Sequence, residues 1–212
     1  MAEKTRLANR PEYCDNCRLG HSGETTMTFG YGLLALVVAI AGYLVYAYNA
    51  LVSNKNLVAE GWSGIDVQLR RRADLIPNLI ETVKGYAAHE DKLFRDIADL
   101  RAKSIAGGSV GEQSAVGQAM TAALGKLFAV AEAYPELKAD ANFRDLQDKL
   151  AATEDEIQLS RRYYNGAVRN LNTMIQSFPS NFVASFFNFT QAEFFEIGDA
   201  AAREVPKVDF KK

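Results

Sequence analysis

Hydrophobic positions fall along this chain in three successive patterns, each predicting a different kind of helix. Residues 29–52 are apolar on every face. No charged residue stands between Glu24 and Lys55, and GLLALVVAIAGYLV fills positions 32–45. A helix rises about 1.5 Å per residue, so about 20 such residues cross the hydrocarbon core of a bilayer. Tyr43, Tyr46 and Tyr48 gather toward the far end as an interfacial belt would. The pattern predicts a transmembrane helix over 29–52.

Past Tyr48 the uniform run gives way to a 3,4 alternation, the seam of a helix that packs on other helices. Leu51, Val58, Trp62, Ile65, Leu69, Ile76, Leu79, Val83, Tyr86, Leu93, Ile97 and Leu100 share one phase, and Lys55, Arg72 and Glu90 hold its non-apolar positions. The phase crosses Pro77, a residue without a backbone donor that clashes with the preceding turn. Unbroken phase predicts one long helix kinked at Pro77. Proline placement, with Asp74 as an N-cap, predicts a hairpin near residues 72–74. In the hairpin, Arg72 and Glu90 become partners whose burial sets register more than stability.

The third pattern follows a glycine-rich break at residues 107–111. An alanine-rich helix begins at Gln113, with its seam at Val116, Met120, Ala123, Leu127, Val130 and Tyr134, and Pro135 ends it. A long heptad helix then covers about 140–178. Its a positions are Phe143, Leu150, Ile157, Tyr164, Leu171 and Phe178, and its d positions are Leu146, Thr153, Ser160, Ala167 and Met174. Asp145, Lys149, Glu154, Arg161 and Arg169 lie outside this seam and read as its solvated flank. After Pro179 the spacing of Phe182, Phe186 and Phe189 predicts a short helix with one greasy face, packed on the bundle rather than on lipid.

Composition sharpens this picture mainly by exclusion. The chain is 48% hydrophobic and 24% charged with five prolines, which fits a folded domain. Its formal charge of −2 provides no basic field for nucleic acid, and none is expected as a partner. Both cysteines, Cys14 and Cys17, precede the apolar run. With His21 they offer three zinc ligands at most, so residues 1–28 read as a flexible leader; a start at Met27 would remove most of it. His89-Glu90 is half of a zinc-protease motif whose second histidine position holds Leu93. Gly107-Gly-Ser109-Val-Gly111 spells G-x-S-x-G without the preceding strand or the histidine partner that a nucleophile elbow needs. No catalytic, cofactor or metal set is complete.

The residues that carry a family likeness are consecutive. Tyr48-Asn49-x-Leu51-Val52 leads to Trp62-Ser63-x-Ile65-Asp66-Val67-Gln68-Leu69-x-Arg71-Arg72-x-Asp74-Leu75-Ile76-Pro77-Asn78-Leu79, then Glu81-x-Val83-Lys84-Gly85-Tyr86. Farther on come Tyr134-Pro135-x-Leu137, Phe143-x-x-Leu146, Glu154, Arg161-x-x-Tyr164-Asn165 and Phe178-Pro179. From about residue 31 to 197 the chain resembles the LemA family of bacterial membrane proteins. The resemblance implies an all-α fold: one N-terminal transmembrane helix, then an antiparallel four-helix up-and-down bundle with long coiled-coil-like helices. It also favours the hairpin at Pro77 and implies no enzymatic activity, and a related magnetosome protein implies a role in membrane organisation.

The expected organisation is therefore a leader over 1–28, a span over 29–52, a bundle over 53–197 and a flexible tail over 198–212. The expected function is a membrane-anchored scaffold in membrane organisation or assembly, holding the bilayer through 29–52 and a protein partner or second copy through the bundle. The alternative is a lipid- or ligand-sensing module, with space beside the small seam residues Thr153, Ser160 and Ala167. Trp62, Asp66, Arg71, Arg72, Asp74, Pro77, Glu81, Tyr86, Glu90 and Tyr164 form the candidate structural or interaction cluster. Lys55 and the basic residues 70–72 after the span place the bundle on the cytoplasmic side of a bacterial inner membrane crossed once, given a start at Met27.

Overall fold

A computed structural model describes residues 22–87 and 89–196. The leader over 1–21, with Cys14, Cys17 and His21, and the tail over 198–212 lie outside the described residues. Among those described there are six helices and no strand: α1 (Ser22–Lys84), α2 (Asp91–Ala106), α3 (Val110–Ala131), α4 (Pro135–Ala139), α5 (Ala141–Gln176) and α6 (Ser180–Phe186). By compactness the chain divides at Ala47 and Tyr48. In the first unit every residue from 30 to 46 is exposed, as an all-round apolar helix must be when no protein covers it. The helix is long and apolar enough to cross a membrane. By the same measure so is α3, but α3 buries Met120, Ala123, Leu124, Leu127 and Ala131 in the bundle core.

The second unit is the bundle. Ile76, Leu79 and Val83 of α1, Phe94 and Ile97 of α2, the inner face of α3, Leu137 of the short α4, and Phe143, Leu146 and Leu150 of α5 make one core, built on four long helices and α4. A second core lies along α1 and α5, where Ile65, Leu69, Ile157, Tyr164 and Val168 enclose Phe195. The two helices are antiparallel: Asn54 meets Met174, Gly61 meets Tyr164 and Arg72 meets Glu154. Gly61 permits this approach, because a Cβ there would lie 3.0 Å from the Tyr164 Cα.

The hairpin expected near residues 72–74 is not formed. α1 continues through Pro77 to Lys84, and the described residues 85–87, 89 and 90 lie between it and α2. Pro77 cannot donate to the carbonyl of Ala73, one helical turn behind, which leaves that acceptor unpaired inside a buried segment. Arg101 of α2 fills the gap, its Nε donating to the Ala73 oxygen at 2.8 Å. A neighbouring helix thus supplies the donor that the proline lacks. The apolar phase, unbroken from Leu51 to Val83, is the true signal.

Two further differences follow from local geometry. Ser109 of the G-x-S-x-G string is the N-cap of α3, in a capping box with Glu112: Oγ accepts from the Glu112 N–H, and Glu112 Oε2 accepts from the Ser109 N–H at 2.8 Å. Those bonds hold the Glu112 carboxyl below its usual range. At the far end, α6 packs through Val183 and Ala184 and leaves Phe182 and Phe186 outside, so the expected greasy face is not the packed one. The helix ends at Phe186 with Phe187 as its C-cap, and Asn188 adopts a left-handed φ of 55° before a strap over residues 189–196.

The Pro77–Arg101 pairing can be tested by a double-mutant cycle. Arg101→Met should cost about 1–3 kcal/mol, the penalty for an unsatisfied carbonyl, and much less in a Pro77→Ala background, where the substituted residue restores the backbone donor. Chemical denaturation of the four proteins measures the coupling. Equal losses in both backgrounds would show that Arg101 acts otherwise.

Candidate functional site

Where α1, α3 and α5 converge, the bundle interior is polar. Arg72 is 2% exposed, and its Nη1 donates to Glu154 Oε2 at 2.8 Å and to Thr121 Oγ1 at 3.2 Å, while Nη2 reaches the Gly117 carbonyl at 3.4 Å. Arg161, 6% exposed, lies beside it. A Cβ on Gly117 would stand 3.3 Å from Arg161 Nη2 and 3.6 Å from Arg72 Nη2, so both guanidiniums use the space that glycine leaves. Arg161 Nε and Nη2 reach no protein acceptor, and its Cζ sits 4.6 Å from the centre of the Phe195 ring. Burial pushes both arginine pKa values down, opposed by the Glu154 carboxylate and, at Arg161, reinforced by Arg72. One carboxylate balances two enclosed cations.

The strap closes the same region. Asn165 Nδ2 donates to the Phe195 carbonyl at 3.1 Å and its Oδ1 accepts from the Phe195 N–H at 2.8 Å. Asn172 pairs with Ala192 in the same manner, both bonds at 2.9 Å. Seven helical residues and three extended residues each advance about 10 Å, so two asparagines on one face of α5 can grip an extended chain at both points. Tyr164 donates to the Glu193 carbonyl at 2.8 Å, and burial together with the Glu193 carboxylate raises its pKa. Gln118 and Ser114 of α3 both donate to the Glu196 carbonyl. Phe195 is thereby fixed with its ring 6.3 Å from that of Trp62, itself 5.8 Å from Tyr164.

Of the residues singled out in the sequence, the fold brings Trp62, Arg72 and Tyr164 to this region. Asp66 pairs with Arg70 at 3.0 Å near the surface, while Arg71, Asp74 and Glu81 face solvent. Pro77 is half-buried within α1, Tyr86 is exposed in the following turn, and Glu90 stands at the N-cap of α2 without a side-chain cap bond. Arg72 is therefore not paired with Glu90. Its partner is Glu154, which the heptad reading places on the flank with Arg161. Thr153, Ser160 and Ala167 do not line the nearest groove. That groove, about 420 Å³, runs between Val58, Trp62, Tyr164, Leu171 and strap residues 189–192.

The model of the LemA family matches residues 61–210, which takes in every residue of the polar region and the strap. The chain belongs to the LemA family. Among relatives, magnetosome protein MamQ 2 of Paramagnetospirillum magneticum is 27% identical over 186 residues, covering 76% of this chain and 68% of its own. Magnetosome protein MamQ of Magnetospirillum gryphiswaldense is 26% identical over 204 residues, covering 84% and 74%. Protein LemA of Metamycoplasma hominis is 26% identical over 171 residues, covering 79% and 75%. The LemA match opens at Gly61, the close contact of α1 with α5, later than the expected start near residue 31.

Two outcomes test the region. Glu154→Gln should destabilise the bundle by about 1.5–3 kcal/mol, the loss of a hydrogen bond between charged groups, with 28% of the Glu154 side chain in solvent limiting the effect. Arg161→Met should be neutral or stabilising and should recover part of that loss, because it removes the excess cation; a further loss in the double variant would contradict this balance. Separately, Asn165→Ala with Asn172→Ala should speed hydrogen exchange at the Ala192 and Phe195 amides and red-shift Trp62 emission while α5 stays helical. Alkaline pH should act in the same direction. A raised Tyr164 pKa favours the folded state below the ordinary tyrosine value of about 10, and this contribution is lost as pH climbs through the folded value.

Proposed function

We propose that this LemA-family chain is a membrane-anchored helical scaffold, held in a bacterial inner membrane by one crossing of α1 and acting through contacts of its bundle with a protein partner or a second copy. One observation carries the reading: the buried polar groups of the bundle fasten one segment of the chain to another. Arg72 joins three helices, Asn165, Asn172 and Tyr164 hold the strap, and Arg101 completes α1. Groups arranged in this way give rigidity, which a scaffold needs. The names of the relatives support a role at a membrane, three of them being magnetosome proteins, and none of those names describes a reaction.

The groove beside Trp62 supports a second reading, a lipid- or ligand-sensing module, since about 420 Å³ is within the size range of small-molecule sites. Native mass spectrometry of detergent-extracted protein separates the two. A defined oligomer or a co-purifying partner is expected, whereas a monomer carrying one stoichiometric lipid would favour the second reading. Carbonate washing should leave the full chain in the membrane. With Cys14 and Cys17 replaced by serine, Ala106→Cys should resist an impermeant thiol reagent on intact cells; labelling from outside would reverse the orientation.

A further inference from the structure

The longest charge-free stretch after the apolar run lies between Arg169 and Glu193. Its exposed side is aromatic. Phe178 is 80% exposed, Phe182 66% and Phe186 79%, although α6 had two small inward positions, Val183 and Ala184, on which to pack. The rings touch in pairs: Phe178 and Phe182 have centroids 5.9 Å apart, Phe186 and Phe187 5.0 Å. Phe187 in turn lies 4.7 Å from the ring of Tyr48. Tyr48 stands two residues past the exposed apolar run of residues 30–46, with buried Ala47 between, so the patch is joined by ring contact to the residue where the bundle begins. Around the rings stand the exposed Ser177, Ser185 and Thr190, uncharged groups able to bond to headgroups, and Lys55 has its Nζ 6.0 Å from the Phe189 ring.

We infer that α6 and its flanking phenylalanines form a second membrane contact, lying in the bilayer interface beside the entry of α1. The inference rests on the membrane-anchored reading above. The observation that selects lipid over a protein occupant is continuity with Tyr48: a surface touching the last ring of a bilayer-crossing helix shares its depth. At that depth aromatic rings are favoured, which is the composition found. The patch also lacks the lysine-rich polar face of helices that bind membranes unaided. It does not need one, because α1 already delivers it to the surface. Two contacts at different points of the bundle would fix its tilt, which a single rod leaves free.

The test uses the full chain in nanodiscs of phosphatidylcholine and phosphatidylglycerol, in a Cys14→Ser, Cys17→Ser background. A single environment-sensitive NBD label is placed at Phe182→Cys, Phe186→Cys, Val38→Cys or, on an exposed face of α5, Leu159→Cys. The substituted side chains are exposed, so folding, checked by circular dichroism, is kept. The expected result is blue-shifted emission at 182 and 186 that is quenched by shallow doxyl lipids, quenching at 38 by deep doxyl lipids, and neither at 159. Unquenched labels at 182 and 186 with a quenched label at 38 would overturn the inference and leave the anchor standing. A blue shift there without lipid quenching would overturn it too, showing that a second copy or another protein covers the patch. No quenching at 38 would remove the anchor itself and this inference with it.

Discussion

A guanidinium taken out of water must find partners for its donors, and Arg72 of α1 finds them on two other helices. That requirement organises the bundle. Apolar contacts tolerate sliding, since one leucine replaces another at modest cost, but a charged fork with its acceptors on α3 and α5 has one good position. The level of Arg72 along α1 therefore fixes the register of the other two helices. Gly117 is small because two cations need its volume, and Glu154 faces inward because they need its charge.

The second cation explains the strap. Arg161 brings an uncompensated positive charge beside Arg72, and no second carboxylate lies at bonding distance among the described residues. Its environment is completed by the face of the Phe195 ring. To deliver that ring, the chain must run extended past α5, and an extended chain exposes backbone groups that need partners. Asn165 and Asn172 supply both a donor and an acceptor at each grip, imitating a neighbouring strand with helix side chains. Buried charge, aromatic lid and asparagine grips are consequences of one another.

Much of this was legible in the sequence, and the misses have definite causes. The α1 seam from Leu51 to Val83, the extent of α5, the all-round apolar segment and the LemA-family likeness are all readable from residue patterns. Glu154 and Arg161 are not, because a strict seven-residue template assumes 3.5 residues per turn. In a straight helix of 3.6, position 161 stands five whole turns, about 18 residues, beyond Phe143 and in line with it, while positions 154 and 172 fall about 20° away. Counting turns from Phe143 brings them into the core. The hairpin at Pro77 fails for another reason: proline is expected to stop a helix, yet its missing donor can come from a side chain such as Arg101, 28 residues away from the acceptor. The strap has no signal in periodicity, because its grip is on backbone.

The same reasoning accounts for the side chosen by α6. A phenylalanine inside the bundle would add more apolar burial than Val183 or Ala184, so a seven-residue helix folding only for its own core would turn inward the face bearing Phe182 and Phe186. It does the reverse. The constraint comes from the neighbours: α6 begins just beyond the end of α5 and must deliver the strap to Asn172 within a few residues, and Ala184 and Val183 allow the close approach that this short path demands. The large rings are displaced outward by the requirement that Phe195 reach Arg161. A surface apolar in composition thus arises from a polar demand deep in the bundle, and it emerges beside Tyr48, where the chain is already apolar.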